Sequence, residues 1–446
     1  MTNEIARLDL LITGATLLAA DPARAPVEEA ALGIRGNRIA YIGPAAGAPA
    51  TTDTWHLPGR VLTPGFINPH THSAFTMVRG VAADLGFAPS YTKGIPNALD
   101  LSPEDAVALS RLGALEAMLF GSTLIGEHFV HMDACLPALA GLGLRVHGSL
   151  RLHDVDFRRV ADGQWEYDAA LGDALLAANI DLHAAWNGRD DGRIMVQFAA
   201  HAADTCSDAY LKRVAAAAQE RDAVVNTHLA QSKVELERVR ARNGRSPVEA
   251  FAEAGLLNER LLCGHCIYVD ATDIARMAGA GVHAVHIPKC NAASGRLAPT
   301  PDLLAAGLNM TLATDTQHGD MIEVMRWALA TARIGRGGID DAWQPEAVFA
   351  MATSNGARAL GLQEDLGSLT VGKKADLVAI DFRRAHLAPA PDPLGNLVHT
   401  GMGRDVEHVF VDGRCVVRDG RATLVDQDAI IAAARNAADR LWRKAA

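Results

Sequence analysis

Between residues 61 and 334 the chain alternates short apolar runs with alanine- and leucine-rich stretches, and this alternation restricts its fold more than any other feature. Eight runs, at 61–69, 121–129, 143–150, 194–203, 222–228, 260–266, 281–287 and 309–315, have the length and β-branched content of buried strands. Stretches between them, such as 104–119, 207–220, 232–242, 271–279 and 318–334, read as helices. Ser102-Pro103-Glu104-Asp105 is a helix start, with Ser102 as N-cap and proline at the first helical position. Eight strand–helix units predict an α/β fold, a (β/α)8 barrel whose chemistry sits at the C-terminal ends of its strands. A doubly wound open sheet is the alternative, but no G-x-G-x-x-G follows the first strand.

Short strands and glycine turns mark both ends of the chain: Asp9–Ile12, Ala31–Ile34 and Arg38–Ile42 at one, Ala375–Asp381, Val406–Val411 and Arg414–Val417 at the other. Neither set is large enough to stand alone, so they are expected to combine. The expected organisation is a composite β-sandwich lobe from 1–60 and 362–425, a barrel over 61–361 and a C-terminal helix over 426–446. A formal charge of -10 without a basic cluster argues against nucleic acid and anionic membranes as partners. No apolar run approaches the roughly 18 residues of a membrane span. Six scattered cysteines suggest reduced thiols and a cytoplasmic location. Cys263 and Cys266 form a C-x-x-C without a partner pair, which favours core thiols over a structural zinc site.

The C-terminal ends of the expected strands carry polar residues that a core would not explain. The first ends in His70 and His72, which lie two apart on a strand and so present their rings to one side. Such a pair suits a divalent metal, although His-x-His alone also occurs in surface turns. His201 ends the fourth strand, Asn226-Thr227-His228-Leu229-Ala230-Gln231 the fifth, Gly264-His265 the sixth, His286 the seventh and Thr314-Asp315 the eighth. Histidines and an aspartate gathered in this way on one barrel face point to a metal site.

These residues resemble the amidohydrolase superfamily, in its branch containing cytosine deaminase, methylthioadenosine/S-adenosylhomocysteine deaminase and the triazine hydrolases. The likeness runs through Pro64-Gly65-Phe66-Ile67-Asn68-Pro69-His70-Thr71-His72, Val78-Arg79-Gly80, His201 to Ser207, His228-Leu229-Ala230, Gly264-His265, His286 to Asn291, Thr314-Asp315 and the tail from Gly367 to Leu377. It implies a barrel with one divalent metal, zinc foremost with Fe2+, Co2+ or Mn2+ as alternatives, bound by His70, His72, His228 and Asp315. It also implies a small-molecule substrate and a homo-oligomer. His265 would lie beside the catalytic water, and Asp315 would carry its proton to the leaving nitrogen. Binuclear relatives use a lysine on the fourth strand; none occurs from Arg193 to Tyr210, so a mononuclear site is expected.

Gln231 departs from the deaminase pattern His-x-x-Glu, whose glutamate protonates a ring nitrogen of the substrate. A glutamine amide hydrogen-bonds but does not shuttle protons near neutral pH. An amide, urea or carbamate carbonyl needs no such proton, because a metal polarises it directly. The expectation is therefore hydrolysis of a small amide, urea or (thio)carbamate, with His265, Asp315 and Gln231 catalytic and His201 and Gln231 on the substrate. This would bring the chain closer to phenylurea and thiocarbamate hydrolases, as would Thr316 and Gln317 after Asp315. The alternative is an aminohydrolase of a purine, pterin or triazine ring. Nucleoside deaminases place a ribose-binding glutamate before the first long helix; Asp100 is the candidate replacement here but fits the helix entry better. His128 and His131 are read as either pocket or helix-entry residues, and Tyr91 and Trp186 as candidates to cover the barrel mouth.

Overall fold

The computed structural model describes residues 7–20, 26–85, 91–316 and 318–445. Eight parallel strands form the barrel: β1 (Phe66–Thr71), β2 (Ser122–Phe129), β3 (Arg145–Leu152), β4 (Phe198–Ala200), β5 (Val225–Leu229), β6 (Leu261–His265), β7 (His283–His286) and β8 (Asn309–Leu312). They pair in chain order from β1 to β8, with a further short strand, Ile194–Val196, beside β3 just before β4. Helices follow the strands and bury apolar faces against them, as expected from the alternation. The long helix Pro103–Leu119 begins where the sequence indicates, with the Ser102 hydroxyl accepting from Asp105 N at 3.1 Å.

The ring closes between β8 and β1. Asn68 Nδ2 donates to Thr314 Oγ1 at 2.8 Å, and Thr314 N donates back to Asn68 Oδ1 at 3.0 Å. Beyond them Asp315 N donates to His70 O at 3.1 Å and His72 N to Asp315 O at 2.8 Å. Three residues expected to bind metal therefore also close the barrel through their backbones.

The single strand expected over 61–69 is two. Arg60–Pro64 pairs antiparallel with Leu377–Asp381, in the register Leu377↔Pro64 to Asp381↔Arg60, and only then does the chain enter β1. Gly65 makes the break. A side chain there would meet Thr123 Oγ1 at 2.1 Å, while its N–H donates to Asp376 O at 3.0 Å. Periodicity alone did not separate the two, because both pieces are buried and apolar.

That antiparallel pair unites the chain ends. One nine-stranded sheet runs Arg421–Ala422, Arg414–Arg418, Val406–Val411, Leu377–Asp381, Arg60–Pro64, Leu8–Leu17, Val27–Arg35 and Arg38–Pro44, with Thr51–His56 also on Leu8–Leu17. Its core draws on both ends, with Ile12, Leu32, Leu62, Leu377 and Phe410 packed together. Arg145, at the start of β3, ties barrel to sheet through buried contacts to Asp376 (2.7 and 2.9 Å) and Asp412 (2.8 Å). The helix Gln427–Ala445 lies against Pro103–Leu119, where Arg440 pairs with Asp105. All six cysteines are free, Cys263 and Cys266 among the buried ones. Among the described residues no helix is long and apolar enough to cross a membrane.

Candidate metal centre

His70, His72, His228 and Asp315 meet at the C-terminal rim. His228 Nε2 lies 3.3 Å from His70 Nε2 and 3.0 Å from His72 Nε2. Asp315 Oδ1 stands 3.4 Å from His72 Nε2 and 4.0 Å from His70 Nε2. Donor atoms bound to one zinc at about 2.0–2.1 Å lie no more than about 4.2 Å apart, so the spacing fits a shared ion.

The protons fit as well. His70 Nδ1 donates to Asn226 Oδ1 at 2.7 Å, and Asn226 Nδ2 donates to Pro69 O at 2.8 Å, which orients the amide. His72 Nδ1 donates to His128 O at 2.8 Å, and His228 Nδ1 to His201 O at 2.7 Å. With each ring proton committed to Nδ1, three Nε2 lone pairs face one another with no hydrogen between them. A cation resolves that arrangement, and the outward Nδ1–H···O bonds are those that orient metal-binding imidazoles.

Burial, first of all, holds the His70 and His72 rings well below the usual imidazole range, and repulsion from His228 adds to it. Burial takes His228 to about 4. These rings are neutral at pH 7, the form a metal binds. Burial raises the Asp315 carboxyl to about 7 against the opposing pull of Cys290 and Arg296.

Gly264 on β6 gives His70 its room, since a side chain there would meet His70 Cε1 at 2.8 Å. His265 and Asp315 adopt left-handed backbone angles (φ 69° and 62°). Such conformations cost roughly 1–3 kcal/mol in a non-glycine residue and cluster at active sites. His265 Nδ1 lies 2.9 Å from Asn291 Oδ1, and burial and His228 lower its ring to about 3.

A cavity of about 300 Å3 opens over the centre, with His72, His201, His228, Gln231, His265 and Asp315 on its wall. The Gln231 backbone is clamped at both groups: its N–H donates to Glu235 Oε2 at 2.7 Å, and its carbonyl accepts from Arg296 Nη1 at 3.0 Å. His201 lines the cavity with its Nδ1 on Thr205 Oγ1 at 2.7 Å, and its backbone carbonyl holds His228 Nδ1. Among the described residues, Asp315 is the only carboxylate on the wall.

Other sequence candidates fall elsewhere. Tyr91 lines the cavity, but Trp186 ends the helix Ala169–Trp186 and stacks beneath Arg189 at 4.6 Å, away from that wall. His131 Nε2 binds Leu101 O at 3.0 Å at a helix entry. Asp100 accepts from Asn97 N at 2.7 Å, closing a short helical turn outside the cavity. Gln317 lies outside the described residues. Sequence reasoning missed the supports: Asn226, Asn291 and Glu235. Asn226 was readable, being two residues before His228 on one strand and hence on the same side.

A (β/α)8 barrel with three histidines and an aspartate gathered at its C-terminal rim defines a metal-dependent hydrolase. The model of the amidohydrolase family matches residues 61–416, and the chain belongs to that family. It is 35% identical over 414 residues to the 5-methylthioadenosine/S-adenosylhomocysteine deaminase of Moorella thermoacetica, covering 90% of this chain and 92% of that one. It is 32% identical to the 5'-deoxyadenosine deaminase of Methanosarcina acetivorans, covering 98% and 99%. The zinc-bound adenosine deaminase of Xanthomonas campestris superposes with a TM-score of 0.87 at 27% identity, covering 98% and 99%. The protein is thus a metal-dependent amidohydrolase acting on carbon–nitrogen bonds. These relatives are named as deaminases, and the narrower likeness to phenylurea and thiocarbamate hydrolases finds no support among them.

Proposed function

We propose that the protein hydrolyses a C–N bond at the carbonyl of a small amide, urea or (thio)carbamate, with one divalent metal, zinc foremost, held by His70, His72, His228 and Asp315. Such a metal, when bound, lowers the pKa of a water towards about 7 and polarises the carbonyl. Asp315 takes the water's proton and delivers it to the leaving nitrogen. His265, with its Nδ1 proton on Asn291, offers Nε2 as an acceptor and orients the attacking water. An oxyanion contact from His265 requires Asn291 turned so that its Nδ2, which has no partner among the described residues, faces the ring. Gln231 hydrogen-bonds the substrate.

The observation that carries this reading is Gln231 on the wall of a cavity where Asp315 is the only carboxylate among the described residues. Deamination of a heteroaromatic ring needs one group to protonate the ring and another to handle the water and ammonia. The second reading, an aminohydrolase of a purine, pterin or triazine, is favoured by 35% identity to a nucleoside deaminase along nearly the whole chain.

Metal-loaded wild type and Gln231→Glu are to be tested on two panels. Heterocyclic amines are read by ammonia release; anilides, phenylureas and carbamates are read by amine release. The expected result is turnover of the second panel alone by wild type, with the variant losing it or gaining the first. Ammonia release from the first panel by wild type overturns the proposal in favour of the deaminase.

A further inference from the structure

The proposed ligand set leaves aside His128, which lies against it. On β2 successive side chains alternate. Glu127 accepts from Thr71 Oγ1 (2.7 Å), Ser73 N (2.9 Å) and Ser73 Oγ (2.6 Å), so it serves the turn that follows His72. His128 takes the other side, and its ring packs edge-on at 4.4 Å against both His70 and His72.

His128 is 1% exposed, and neither of its ring nitrogens makes a hydrogen bond among the described residues. An imidazole carries one donor and one lone pair, and burying both unpaired is unfavourable. His128 is not on the cavity wall, so neither substrate nor bulk water is its partner. One of its nitrogens does lie with a nitrogen of each of His70, His72 and His228 in a group spanning no more than 4.8 Å. A cation held among these nitrogens would satisfy its lone pair.

We propose that His128 is a further ligand of the divalent metal, reaching it from behind the cavity wall, so that four imidazoles and Asp315 hold the ion. This rests on the ligand set proposed above. Five protein donors leave little more than one position for water, and they suit ions that accept five or six ligands.

X-ray absorption on zinc-loaded wild type counts imidazoles through their outer-shell scattering and needs no variant. Four rings are expected, and three overturn the proposal. In parallel, His128→Met and His128→Asn are compared with wild type by chelator competition and by the visible spectrum of the Co2+ forms. A loss of metal affinity of tenfold or more is expected, with the stronger absorption of a lower coordination number. The metal-free variants must match wild type in circular dichroism for that comparison to count. Unchanged affinity and spectrum in folded variants overturn the role of His128 while leaving the other four ligands standing. A wild type that binds no divalent metal overturns the underlying ligand set as well.

Discussion

Replacing Asn226 by leucine tests whether hydrogen bonding outside the ligand set prepares the metal centre. The substitution removes the acceptor of His70 Nδ1–H, at 2.7 Å, and the donor to Pro69 O, at 2.8 Å. Asn226 and His70 are both 0% exposed, so water does not replace either bond. Each of the two buried groups left unpaired costs roughly 1–3 kcal/mol, so the metal-free protein should lose roughly 2–6 kcal/mol. Metal binding should suffer separately. Without Asn226 the His70 proton is free to move to Nε2, and it must leave before a metal can bind. Losing a support of this kind typically costs 10–100-fold in affinity, or about 1.4–2.8 kcal/mol. Asn226→Asp keeps the acceptor and loses only the donor, so it should retain most of the affinity while sharing part of the stability loss. Urea denaturation of the metal-free proteins reads the first effect and chelator competition the second. Should Asn226→Leu bind metal as tightly as wild type, the committed ring proton is not what poises His70, and the reasoning fails.

Arg145→Met leaves Asp376 and Asp412 facing each other at the junction of barrel and sheet, with Asp376 about 4% exposed. Breaking a buried pair from one side costs about 3–5 kcal/mol, and a urea-denaturation loss below roughly 1 kcal/mol would contradict it. The metal-free protein should also be acid-sensitive. Burial lowers His147 and His228 to about 4, and His153, His265, His286 and His318 to about 3. Below pH 6.5 the unfolded chain takes up these protons and the native state does not, so stability falls with pH until the folded values are reached. The carboxyls of Glu127 and Asp315, raised by burial to about 7, and of Asp204, raised to about 6, act in the opposite sense. Burial also holds His70, His72, His128 and His201 well below the usual imidazole range, so the lowered imidazoles outnumber the raised carboxyls and stability should fall between pH 6 and 5. Urea midpoints that stay level from pH 7 to 5 would refute this balance.

Much of the centre was legible because its donors sit where local periodicity puts them. His70 and His72 are two apart on a strand, and each further donor ends another strand of the same parallel set. The boundary at Gly65 was not legible, since a strand of the sheet and a strand of the barrel are equally apolar and differ only in their neighbours. Nor was the direction of His128, because a histidine next to the last residue of a strand reads alike whether it faces a helix or the barrel axis.

By itself, the sequence determined the order of strands and helices, the helix start at Ser102 and which side chains were available as ligands. These depend on residues within a few positions of one another, where repeats of about 2 and 3.6 residues carry the information. Only the tertiary structure decided that His70 and His228, 158 positions apart, bring their Nε2 atoms to 3.3 Å. It also decided which nitrogen of each ring keeps its proton, because the acceptors, Asn226, His128 O and His201 O, reach those rings only once the barrel has formed. Even Asp315 arrives at the metal centre by completing that ring, since its backbone bonds to His70 and His72 join the last strand to the first.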